Sequence, residues 1–119
     1  MNTLFEQYGG FAKISRIVSS FYDKVLESPI LQPYFTNVDM RRLIDHQTKF
    51  LAQAMGGPAS YTNQQVERVH RHLQINAAAF DEMHTLLRET LEDFGIEPND
   101  IESVIDEIVS RRGLIVTKP

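Results

Sequence analysis

Apolar residues recur at helical spacing along nearly the whole chain, and proline and glycine cut that pattern into short pieces. Ile14, Ile17, Val18, Phe21 and Val25 step by threes and fours, the spacing that lines one face of a helix. Ser28-Pro29 stops this helix, because proline lacks a backbone donor and collides with the preceding turn. Pro33 predicts an irregular stretch through Tyr34 and Phe35. Asp39 caps a helix running to Met55, which Gly56-Gly57-Pro58 ends. A polar loop over 59–63 leads into a short helix over about 64–73. Asn76 caps a longer helix through Phe80, Met83, Leu87, Leu91 and Phe94, and Gly95 ends it as a left-handed residue. Pro98 opens a last helix, at a position that tolerates proline. That helix carries Ile101, Val104, Ile105, Ile108 and Val109 and stops near Gly113. No segment keeps a period-two alternation, so the chain reads as all-α with short connections. The glycine pairs Gly9-Gly10 and Gly56-Gly57 give sharp corners, which let short helices cross closely.

A chain of 119 residues is expected to form one domain, here 1–119. It buries a limited apolar core, so a large apolar cofactor would add stability that the core cannot supply. There is no cysteine, which excludes disulfides, thiolate catalysis, iron–sulfur clusters and cysteine-ligated zinc. MNTLFEQYGG shows no signal-peptide pattern, and no apolar run is long enough to span a bilayer. The expected location is the cytoplasm. The formal net charge is −4. Basic residues are scattered apart from Arg41-Arg42 and Arg111-Arg112, so no nucleic-acid face is expected.

The four histidines are sorted by helix phase. Leu43, His46, Gln47, Phe50, Leu51 and Ala54 share one face of the helix after Asp39. That stripe is apolar except for two adjacent polar side chains, whose burial is costly without partners. In the next helix Val66, Val69, His70 and Leu73 share a face, while His72 lies roughly 200° round from His70. A single histidine on an apolar face is most simply a hydrogen-bonded core residue. Two on successive helices also suit a flat apolar ligand with a metal at its centre, and haem iron takes a neutral imidazole on one side. Zinc fits less well, because two histidines are too few for a tetrahedral site and no H-E-x-x-H occurs. No G-x-S-x-G elbow and no phosphate-cradling glycine loop is present.

These residues, taken in order, resemble those of the truncated, two-over-two globins, and among them the group I branch with its cyanobacterial and ciliate members. The resemblance runs from Leu4 to about Val109. It rests on L-F-E-Q-Y-G-G (Leu4 to Gly10), Phe21-Tyr22, Phe35, His46-Gln47 with Phe50-Leu51, Met55-Gly56-Gly57-Pro58, V-E-R-V-H-R-H-L (Val66 to Leu73) and Phe80. It implies a two-over-two helical sandwich around non-covalent haem b, iron protoporphyrin IX. His70 would be the proximal iron ligand, and His46 would match the position that fills the sixth site in cyanobacterial relatives. Phe35, Leu43, His46, Phe50, Leu51, His70, Leu73, Phe80 and Met83 would surround the cofactor. Tyr22 and Gln47 would point into the distal pocket and hold a bound dioxygen by hydrogen bonds. Leu43 replaces a polar distal residue of many relatives, which predicts a smaller hydrogen-bond set. Thr117 stands where some cyanobacterial members carry a histidine bonded to a haem vinyl, so covalent attachment is not expected. The lack of tryptophan argues against groups II and III.

The implied function is reversible binding of dioxygen, carbon monoxide and nitric oxide, as in oxygen transport, by a monomer. A second reading is a nitric oxide dioxygenase that forms nitrate. That activity needs an electron source, and the chain carries no flavin or reductase motif, so an unidentified reductase would be its partner. A third reading, electron transfer or redox-linked gas sensing, follows if His46 and His70 both bind iron. A fourth is a helical interaction module with two core histidines and no cofactor.

Overall fold

The computed structural model describes residues 3–57 and 74–116. The chain opens with a single turn of helix, α1 (Leu4–Gln7). Thr3 caps it by accepting a hydrogen bond from the Glu6 amide, which satisfies one of the donors that a helix start leaves open. The long helix α2 (Gly10–Glu27) follows, and its stripe of Ile14, Ile17, Val18, Phe21 and Val25 is buried as the spacing predicts, with Tyr22 buried beside it. Ser28 ends α2, and its hydroxyl donates to the Glu82 carboxylate at 2.9 Å. The stretch around Pro33 is a 3₁₀ turn (Gln32–Phe35) rather than irregular chain. Proline lies in its first turn, where a missing donor costs nothing.

Helix α3 (Met40–Ala54) is capped by Asp39, whose carboxylate accepts from the Arg42 amide. Its end is tied to α1 by a bond from the Phe5 amide to the Met55 carbonyl at 2.9 Å. Gly57 lets the two meet: a Cβ there would lie 2.7 Å from the Phe5 ring and 2.9 Å from the Ala52 carbonyl. The expected helix over 64–73, with His70, His72 and Leu73, lies outside the described residues. Helix α4 (Ala77–Asp93) starts at Asn76, which accepts from the Ala79 amide at 2.8 Å. It ends at Phe94 and a left-handed Gly95 with φ +76°. Pro98 opens α5 (Pro98–Val109), which stops at Ser110, earlier than expected. The Ser110 hydroxyl and amide fold back on the Glu107 and Asp106 carbonyls, and a separate turn α6 (Arg112–Ile115) follows.

Among the described residues there is no strand, only an isolated parallel bridge between Ile75 and Val116. Helices α2 and α3 form one layer, and α4 and α5 the other. α2 packs on α4 and α3 on α5, which gives two helices over two. Polar ties fix the layers where the apolar core ends. The Tyr8 hydroxyl donates to Asp100 and accepts from the Glu97 amide, holding α1 on the start of α5. Lys24 on α2 reaches Asp93 on α4 at 2.8 Å. No helix among the described residues is long and apolar enough to cross a membrane.

Candidate functional site

The two layers leave a cavity of about 110 Å³ between them. Every described element that borders the layer junction contributes to its wall. α2 supplies Val18, Phe21 and Tyr22, and the 3₁₀ turn supplies Phe35. Leu43, Gln47, Phe50 and Leu51 come from α3, one helical turn apart in pairs. Ile75 comes from the chain just before α4, Met83 and Leu87 from α4 itself, and Ile108 from α5. Only Tyr22 and Gln47 among these carry polar side chains. The volume exceeds the space one water needs, which is about 10–15 Å³, and such walls favour an apolar guest.

Tyr22 is held with its ring edge-on to two others. Its centroid lies 4.9 Å from Phe21 and 5.8 Å from Phe35, the T-shaped arrangement that aromatic quadrupoles prefer. No described residue hydrogen-bonds the phenol, and burial alone pushes its pKa well above the ordinary value of 10.0. Buried hydroxyls are normally paired. A buried donor facing an apolar cavity therefore suits a guest that brings an acceptor. A mostly apolar guest that carries an acceptor matches both demands.

Of the residues expected to surround such a group, Phe35, Leu43, Phe50, Leu51 and Met83 line this cavity, together with Tyr22 and Gln47. His46 is exposed and stands outside the lining. Phe80 is buried and borders a neighbouring cavity of about 10 Å³ between α4 and α5, with Met83, His84 and Leu87 in the same wall. His84 places its Nε2 there, buried and with no hydrogen-bond partner among the described residues. His70 and Leu73 lie outside the described residues, as does Thr117. Val18, Phe21, Ile75, Leu87 and Ile108 are wall residues that the sequence reading did not assign to the site. Four of them stand in apolar stripes that it had identified as core. Ile75 precedes its helix and carries no periodic signal.

Comparison with known proteins gives a consistent match. The family described as bacterial-like globin matches residues 3–116. A group 1 truncated hemoglobin of a Synechocystis species is 32% identical over 105 residues, covering 85% of this chain and 84% of that protein. The truncated hemoglobin of Tetrahymena pyriformis in its Fe(III) form superposes with a TM-score of 0.88 at 28% identity, covering 98% of this chain and 100% of that one. A 2/2 hemoglobin of a Synechococcus species, in the cyanomet state with covalently attached heme, gives 0.90 at 26% identity, with the same coverage.

Proposed function

The chain belongs to the bacterial-like globin family, as a haem-binding truncated haemoglobin of group I, and from that premise we propose that it reversibly binds dioxygen, carbon monoxide and nitric oxide at non-covalently held haem b. When bound, the haem would supply the iron that takes up the gas, with an imidazole of this chain holding it. We assign the proximal imidazole to His70, on the V-E-R-V-H-R-H-L segment that resembles the proximal motif. Phe35, Leu43, Phe50, Leu51 and Met83 would pack on the porphyrin, with Leu73 and Phe80 completing the pocket.

The observation that carries this reading is Tyr22, a buried tyrosine whose ring packs edge-on against two others, in a wall that is otherwise apolar save for Gln47. Burial keeps the phenol protonated through the physiological range, so it acts as a donor. A donor fixed in a largely apolar pocket needs little reorganisation when an acceptor arrives, and the low local dielectric strengthens the bond. The mostly apolar wall offers water few partners besides Tyr22 and Gln47. A guest that gains negative charge on binding, as dioxygen would, accepts such a bond from Tyr22 well, and carbon monoxide would accept it poorly.

Tyr22→Phe in the hemin-loaded protein tests this directly. Dioxygen dissociation, followed by stopped flow, speeds up about tenfold, as loss of one hydrogen bond implies, and carbon monoxide dissociation changes far less. Equal changes for the two gases would contradict the assignment. We extend the proposal to His46 as an internal sixth ligand. Its exposed side chain would have to turn inward to reach the iron. A low-spin ferrous spectrum that His46→Leu abolishes supports that role, and an unchanged spectrum removes it.

A further inference from the structure

One cation stands directly behind the cavity wall. Arg111 follows Ile108, a wall residue, by one turn, and its amide donates to the Ile108 carbonyl at 3.0 Å. Its guanidinium lies over the ring of Phe50, with Cζ 5.7 Å from the centroid, and Phe50 is itself part of the wall. One terminal nitrogen donates to the Glu107 carbonyl at 2.8 Å and to the Glu107 carboxylate at 3.3 Å. The Nε is buried and has no partner among the described residues.

The two ends of this ion pair are solvated very differently. The Arg111 side chain is 18% exposed and that of Glu107 is 56% exposed. Water screens the carboxylate, so it neutralises the guanidinium incompletely. The less solvated positive end lies over the ring of a residue that lines the cavity. A cation over one face of a ring is stabilised by its quadrupole, and the apolar wall beyond offers little to screen the remaining field.

We propose that Arg111 is a positioning residue that makes this cavity favour anionic over neutral guests, by placing positive potential behind Phe50. The proposal rests on the haem reading above. A helix-ending arginine that only caps carbonyls would hold the wall in place but would not distinguish guests by charge.

The test compares azide with nitric oxide as ligands of the ferric, hemin-loaded protein, titrated by the shift of the Soret band. Arg111→Met keeps the aliphatic bulk and removes the charge. Azide affinity then falls about fivefold, as expected for one partly screened charge at this range, with nitric oxide affinity within about twofold of the parent. Arg111→Lys keeps most of the azide affinity. Glu107→Gln, an exposed change that leaves the arginine in place, moves azide the other way, to tighter binding. As a second readout, the ferric–ferrous midpoint potential becomes more negative in Arg111→Met, because the lost cation favoured the reduced state. Azide and nitric oxide weakening together, or neither changing in both Arg111→Met and Glu107→Gln, overturns the charge role while leaving the haem reading intact. A parent that takes up no hemin overturns both.

Discussion

At the scale of single residues, the Tyr22 phenol is the most informative group in the cavity. Its folded-state pKa is raised by burial, whereas in the unfolded chain it ionises near the ordinary value of about 10. Below that pH both states keep the proton, and the contribution of the neutral phenol is complete. Above it the unfolded state releases its proton first, so stability falls as pH rises. Urea unfolding at pH about 8 and about 11 should show this loss, and Tyr22→Phe should reduce it. At neutral pH the same substitution should cost no more than about 1 kcal/mol, because no described residue bonds the hydroxyl. A larger loss at neutral pH would mean that the phenol supports the fold and not a guest. Helix phase was enough to place Leu43, Gln47, Phe50 and Leu51 from sequence, while Tyr22 came from the resemblance of the Phe21-Tyr22 pair. It placed His46 on the same stripe, but by 3.6-residue geometry that position lies roughly 80° from the stripe's centre, at its edge, and the side chain is exposed. Val18, Leu87 and Ile108 were visible as apolar stripe residues. A stripe does not reveal which part of it meets a neighbour and which part borders a cavity.

At the scale of elements, the caps and corners were the most legible features because each is a local bargain between a side chain and nearby backbone. Asn76 holds the Ala79 amide at 2.8 Å and Asp39 the Arg42 amide at 3.3 Å. Asn76→Ala should therefore cost about 1 kcal/mol and Asp39→Ala less than that, measured as shifts of the urea midpoint at constant slope. Gly57→Ala should cost more, about 1–3 kcal/mol. The Phe5 ring could move away from the new methyl, but the Ala52 carbonyl 2.9 Å away belongs to α3 and cannot. An unchanged midpoint would show that the α1–α3 corner can open without loss. The end of α5 was misplaced for a different reason. No proline or glycine marks Ser110, and the helix stops where its hydroxyl takes the Glu107 carbonyl, a competition that side-chain spacing does not display.

At the scale of the molecule, the all-helical class followed from periodicity, close helix crossings from the glycine corners, and the two-over-two arrangement from the resemblance of ordered motifs. Periodicity alone does not specify how the layers are fastened. Tyr8 to Asp100 and Ser28 to Glu82 join residues far apart in the chain, and nothing in the spacing of either partner announces the other. The same limit applies to the cavity, which exists only because helices distant in sequence face each other around Tyr22. The account requires this cavity, with His70, to hold haem. The most direct test is the absorption spectrum of the purified protein after hemin is added, with His70→Ala beside it. A sharp Soret band in the parent that is lost or broadened in His70→Ala is the predicted result. No specific band in the parent, or the same band in both proteins, would contradict haem binding through His70.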